Sequence, residues 1–309
     1  MHFRVAFLPM PSRRNFLSTA ALLGTGMTCA PGTVLAQLKR SATDPEFVVK
    51  NGRIHQSIMG WCFKDHFDAV ELAHHCKEIG LVAMEGIPRE AYPEVRKLGL
   101  EISLIGSHGF AKGPCNPANH DEVVAKLNEA IDVAVDVDCK SVITFTGMRF
   151  DGMDEEEAAQ RCIDTWKEVL PKAEKAGVTL VLEHLNSRDD THPMKGHPGY
   201  FGDDVDFCAD LIRKVDSPNF KLLFDIYHVS VMNGDIIRRI HQYKDLIGHY
   251  HTAGNPGRGE LDDTQEINYP PILEAILETG YEGYVAQEFI PNWDDPILAL
   301  RNAAQLCDI

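Results

Sequence analysis

Four short apolar runs in the second half of this 309-residue sequence end on side chains that can hold a metal or move a proton. The run 178–184 ends in Leu182-Glu183-His184, and 221–227 carries Phe224-Asp225-Ile226-Tyr227, with His228 just beyond. The run 246–251 closes on His249-Tyr250-His251, and 284–289 on Gln287-Glu288-Phe289. An unpaired charge inside such a run costs several kcal/mol, and three carboxylates brought together would repel one another and take up protons. One divalent cation removes both problems. Taken singly, each residue reads more simply as a strand-end surface or ion-paired group. Their recurrence on four successive runs points instead to a metal site of Glu183, Asp225, His251 and Glu288. Three oxygen ligands and one imidazole suit Mn²⁺ or Mg²⁺ first, with Co²⁺ or Zn²⁺ behind them.

Other residues could serve such a centre. The loop Thr252-Ala253-Gly254-Asn255-Pro256-Gly257-Arg258-Gly259-Glu260 is set in tight turns by its glycines and proline. It can aim Arg258 at a carboxylate or a row of substrate oxygens, or leave it solvated at a loop tip. His228, three residues past Asp225, could donate to a substrate oxygen. His108, Glu85 and Trp61 stand at or just past three earlier runs and are weaker candidates for substrate contact. His249 shares a strand face with His251 and reads equally as a packed histidine or as a support behind the metal ligands. The stretch 187–202 has the length of a lid, and its His192 and His197 read as polar surface.

These residues need a frame that brings strand ends together. Apolar runs at 53–58, 81–86, 100–106, 141–146, 178–184, 221–227, 246–251 and 284–289 read as strands buried on both faces. Helical patterns lie between and after them, at about 66–79, 88–98, 118–137, 154–176, 203–214, 234–244, 269–279 and 293–306. Eight such alternations over roughly 260 residues predict a single-domain (β/α)₈ barrel, whose active site lies at the C-terminal ends of its strands. A doubly wound open sheet would carry a glycine-rich phosphate turn after its first strand, where this chain has Met59-Gly60-Trp61-Cys62.

The first residues have another purpose. Ser12-Arg13-Arg14-Asn15-Phe16-Leu17, a weakly apolar run to Met27 and Val34-Leu35-Ala36 read as a twin-arginine export signal over 1–36. That expects the export machinery as a transient partner and a location outside the cytoplasm, periplasmic in a two-membrane cell. The run is too short for a permanent membrane span. A polar connector, 37–50, is expected to lead into the barrel at 51–309. The net charge of −16 becomes −19 without the leader's three arginines, a balance that repels phosphate backbones and argues against nucleic acid as a partner. Eight scattered cysteines, with no C-x-x-C pair, look like neither a disulfide framework nor a zinc site.

At its metal-site segments the chain resembles the hydroxypyruvate isomerase branch of the xylose isomerase-like barrels. Those barrels also include ketose 3-epimerases and endonuclease IV. The resemblance is carried by Ile247-Gly248-His249-Tyr250-His251-Thr252-Ala253-Gly254-Asn255-Pro256-Gly257-Arg258 and by Glu266-Ile267-Asn268-Tyr269-Pro270. Phe224-Asp225-Ile226-Tyr227-His228 and Glu183-His184-Leu185-Asn186 add to it. It implies that Glu183, Asp225, His251 and Glu288 hold the metal, that Glu183 and Glu288 are the acid–base pair, and that His228 and Arg258 touch substrate. A histidine at 251 resembles the ketose 3-epimerases, where bacterial hydroxypyruvate isomerases tend to carry glutamine.

The expected chemistry is proton transfer on a small hydroxy-carbonyl compound or sugar through an enediolate, giving an isomer, or an epimer in the alternative reading. A hydride shift is disfavoured, because the neighbours of Glu183 lack the lysine of xylose isomerase proper. Two further alternatives are weaker. An endonuclease IV-like repair enzyme would need further Asp and His ligands after His251 and a less acidic surface. A non-catalytic sugar-binding barrel would have no use for a paired set of acids. No organic cofactor is expected, and a homo-oligomer is compatible with the sequence.

Overall fold

The computed structural model describes residues 43–309. The expected signal, 1–36, and the first part of the connector lie outside the described residues.

The strands are β1 (His55–Met59), β2 (Ala83–Glu85), β3 (Glu101–Ile102), β4 (Ser141–Thr144), β5 (Thr179–Glu183), β6 (Phe220–Asp225), β7 (Ile247–Thr252) and β8 (Tyr284–Gln287). They form one parallel sheet in the order β3-β2-β1-β8-β7-β6-β5-β4. Its two edges meet through a parallel bridge between Ile105 and Val142, made by Ile105 N–H to the Ser141 carbonyl (2.9 Å) and Ile143 N–H to the Ile105 carbonyl (3.0 Å). The expected (β/α)₈ barrel is therefore the fold, as a single domain. Strand three is the shortest, because beyond Ile102 its partners are met singly: Ser103 N–H reaches the Met84 carbonyl.

The helices are α1 (Ala69–Ile79), α2 (Tyr92–Lys97), α3 (His120–Asp136), α4 (Glu155–Ala176), α5 (Val205–Val215), α6 (Ile226–Met232), α7 (Ile236–Tyr243), α8 (Tyr269–Glu278) and α9 (Pro296–Cys307). Short polar side chains start several of them. Asp68 caps α1 in a reciprocal box with Glu71, Asp154 caps α4 and Asp295 caps α9 ahead of Pro296, each satisfying amides that the first turn leaves unpaired. The main core lies between these helices and the outer faces of the strands, with Trp166, Phe220 and Tyr250 among its fully buried side chains.

One expectation needs correction. The run 221–227 is not all strand: β6 stops at Asp225, whose carboxylate accepts from His228 N–H (3.0 Å), and α6 begins at once. As the last strand residue and the cap of α6, Asp225 ends the strand there, and Ile226 and Tyr227 lie in the helix. The described part of the expected connector, 43–50, packs against the last helix. Phe47 is buried, its carbonyl accepts from Arg301, and Asp308 accepts from the amides of Lys50 and Asn51, which ties the segment to the end of α9. Among the described residues all seven cysteines are free and buried, and no helix is long and apolar enough to cross a membrane.

Candidate metal centre and active site

Strand register brings the centre together. Asp225 on β6 pairs directly with His251 on β7, and His251 with Ala286 on β8. Beyond the end of β8, Glu288 N–H still donates to the Thr252 carbonyl (2.8 Å), so Glu288 projects beside His251. Glu183 ends β5 opposite Leu223. The result is one buried group in which Glu183, Asp225, His251 and Glu288 each offer a ligand atom, all within 4.8 Å of one another.

The polar atoms of this group converge without satisfying each other. His251 Nδ1 lies 2.6 Å from Glu288 Oε2 and 3.3 Å from Glu183 Oε1. These are ion-pair distances, yet none of the three atoms makes an aligned hydrogen bond. Buried polar atoms are almost always hydrogen-bonded, and lone pairs aimed at a common point are what a cation requires. A donor set of three carboxylates and one imidazole fits a hard divalent ion.

The protonation tendencies are those of crowded acids. Burial pushes Asp225 up to about 7, with Arg258 opposing and Glu288 and Glu183 adding to the rise. Burial likewise raises Glu183, against the pull of His251. Glu288 also feels burial, but Arg258 and His251 overcome it and hold the carboxyl well below the usual range. Arg258 itself is buried (2% exposed). Its Nη2 lies 2.6 Å from Glu288 Oε2 and 3.5 Å from Asp225 Oδ2, Nη1 donates to the Met194 carbonyl (2.7 Å), and the guanidinium stacks over Trp61 and Tyr227. It holds a backbone conformation in the left-handed region (φ +53°).

The remaining sequence candidates fall in different places. Trp61 is on the wall of the cavity at the barrel mouth and donates to Glu288 Oε1 (3.3 Å). His108 is on the same wall, but its nitrogens are engaged by the Lys112 carbonyl and Thr144 Oγ1. His228 is fully buried beside Asp225, with Nδ1 accepting from Asn186 N–H and Nε2 3.6 Å from Asp225 Oδ2. Glu85 stands behind His251 rather than on the wall. Its oxygens meet His251 Nε2 (2.8 Å) and His249 Nε2 (2.9 Å), and Ser103 Oγ donates to it (2.6 Å).

That arrangement gives Glu85 a different task from substrate contact. An imidazole that donates Nε2–H to a carboxylate turns Nδ1, as an acceptor, toward the ion, and such partners orient the ligand and raise its basicity. Glu85→Gln is therefore expected to weaken Mn²⁺ binding by about 10- to 100-fold. Titration calorimetry on the folded variant is the check, and an unchanged affinity would show that Glu85 has no hold on the ligand.

The reading of His192 and His197 as polar surface holds only for His192. His197 is buried, on the cavity wall, against Phe110. A lone loop histidine gives no sign of this in sequence, because the fold of the 187–202 loop decides it. Asn186 N–H to His228 and the Met194 carbonyl to Arg258 are backbone contacts of the same kind.

Comparison with known proteins gives the family of the fold. Residues 62–306 match the family described as xylose isomerase-like TIM barrel. The chain is 32% identical to a putative hydroxypyruvate isomerase of Xenopus laevis over 58% of its length and 64% of that relative's. It is 28% identical to a putative hydroxypyruvate isomerase of Homo sapiens over 74% of this chain and 81% of that one. Among solved structures, 3-keto-D-glucoside 4-epimerase from E. coli superposes with a TM-score of 0.68 at 18% identity, covering 82% of this chain and 98% of that one. The chain belongs to the xylose isomerase-like TIM barrel family, among whose members its sequence relatives are isomerases.

Proposed function

We propose that the protein is a divalent-metal-dependent isomerase that moves a proton between adjacent carbons of a small hydroxy-carbonyl compound. The isomerase class comes from its sequence relatives. The observation that carries the metal and the proton transfer is the convergence of Glu183, Asp225, His251 and Glu288 at the barrel mouth, where the buried atoms Glu183 Oε1, His251 Nδ1 and Glu288 Oε2 make no aligned hydrogen bond.

Held by those four residues, a divalent cation would supply a Lewis acid that acidifies the carbon next to a substrate carbonyl. The chain supplies the rest. Glu288 is held anionic by Arg258 and His251, so it can accept a proton. Burial pulls Glu183 the other way, upward, which suits the carboxyl that hands the proton back. Two carboxyls whose environments pull them apart are the usual sign of an acid–base pair. Arg258 and Trp61 fix Glu288 in place.

The test is the purified protein loaded with Mn²⁺ and offered hydroxypyruvate, tetruloses and ketohexoses, with products read by NMR. An aldose–ketose type isomer supports the proposal. The second reading is a ketose 3-epimerase-like reaction, favoured by the histidine at 251, and it would give the 3-epimer through the same two carboxylates. Absence of turnover with every carbonyl compound and every divalent ion would remove both.

We further read 1–36 as an export signal and place the mature protein outside the cytoplasm. Lysine at both Arg13 and Arg14 should leave uncleaved precursor in the cytoplasm. Unchanged export of that variant would refute the reading.

A further inference from the structure

The cavity that opens onto Glu183, Glu288 and Arg258 has a volume of about 290 Å³. Its two sides differ in chemistry. The metal ligands come from strands five to eight. The facing wall comes from strands three and four and the loops beyond them, through Leu104, Phe110, Ile143 and Phe145, closed off by Leu185 and Met194. Leu104, Ile143, Phe145 and Leu185 belong to a small apolar cluster separate from the main core. Barrel interiors need filling, but this cluster also forms the surface that a substrate must meet.

Polar side chains on that wall are few and mostly spent. Ser107 donates to the Ile143 carbonyl, and both nitrogens of His108 are engaged. Arg258, the cavity's cationic side chain, gives its two terminal nitrogens to Glu288, Asp225 and the Met194 carbonyl, and its buried Nε makes no hydrogen bond. Among the described polar side chains of that wall, the His197 ring makes no hydrogen bond, while across the cavity Glu183 Oε1 is likewise unpartnered. Phe110 lies 4.0 Å from the His197 ring, centroid to centroid, and burial keeps that ring neutral.

A polyhydroxylated chain laid along this wall would lose the water on each hydroxyl and find no partner, which weakens binding roughly tenfold or more per group. A methylene there would strengthen binding by about fourfold. We propose that the substrate is a hydroxy-carbonyl compound whose end remote from the metal ligands is hydrocarbon, carrying at most one polar group, which meets His197. For the reacting end this rests on the metal-dependent proton transfer proposed above, and for the remote end it rests on the apolar wall alone.

The test is direct binding to the Mn²⁺-loaded full chain by calorimetry, with turnover followed separately. One series is 1-hydroxy-2-propanone, 1-hydroxy-2-butanone and 1-hydroxy-2-pentanone. The matched series is dihydroxyacetone, erythrulose and xylulose. The alkyl series should tighten by about fourfold per methylene, and each of its two longer members should bind at least about tenfold more tightly than the polyol of equal length. His197→Phe should leave the alkyl gradient intact while weakening an analogue with one terminal hydroxyl. Polyols that bind as tightly as their alkyl partners, or more tightly, overturn the inference even if they are turned over with proton transfer. A steep alkyl gradient with no turnover of any compound upholds it and overturns the proposed reaction instead.

Discussion

Replacing Glu288 with glutamine should lower turnover by at least about a hundredfold while changing substrate affinity little, and Glu183→Gln should do the same. Positioned general acids and bases contribute typically 10²- to 10⁴-fold, and glutamine keeps the size and one ligand oxygen while losing the proton-accepting charge. A loss confined to kcat identifies an interaction made in the transition state. Glu288 is the more exposed to side effects, because Arg258 and His251 lean on its charge. Parallel metal analysis of each variant therefore separates a lost base from a lost ligand. The two effects should not multiply in the double variant, since both groups act on one proton path. Turnover in D₂O should place deuterium on the product carbon. Substrate deuterated at the reacting carbon should leak at least some label to water, even if the proton is shielded during transfer. Complete retention of that label would point to a hydride shift and end the case for the paired carboxylates.

Asp225→Ala should leave the protein unable to retain stoichiometric Mn²⁺ after desalting. Asp225 is fully buried between Arg258, His228 and the other carboxylates, and alanine removes a charged ligand without offering a substitute. It also removes the cap of α6, worth about 1 kcal/mol, so Asp225→Asn is the control: asparagine can keep the cap while losing the charge. Full metal occupancy in the alanine variant by elemental analysis would rule this ligand set out. The same residue sets a pH dependence. In the ion-free site its carboxyl lies up near 7 because of burial. A proton therefore competes with the metal below that value, and Mn²⁺ affinity should fall as pH drops from 8 to 6.

Much of this architecture is legible in the amino-acid sequence. Continuous apolar runs separated by amphipathic stretches call for a parallel sheet covered by helices, because only strands buried on both faces lack alternation. The barrel follows from eight repeats, and the rule that chemistry sits at strand C-termini singled out Glu183, Asp225, His251 and Glu288. Boundaries were harder: hydrophobic pattern alone cannot see that Asp225 caps a helix, since a cap is a local hydrogen bond and not a periodicity.

The reactive groups and the strands that carry them are legible along the chain, because residue type and period are local properties. The surroundings that those groups face are set by the packed fold. Glu85 reads from sequence as a substrate contact, but the barrel's curvature turns it inward, onto His251 and His249. His197 reads as loop surface, but the 187–202 loop folds it against Phe110 and into the cavity. The apolar wall opposite the metal ligands joins residues near 104, 143 and 185, and nothing local in the chain marks them as neighbours. Contacts between distant segments depend on strand register and loop closure, and those are settled by the packing of the whole barrel.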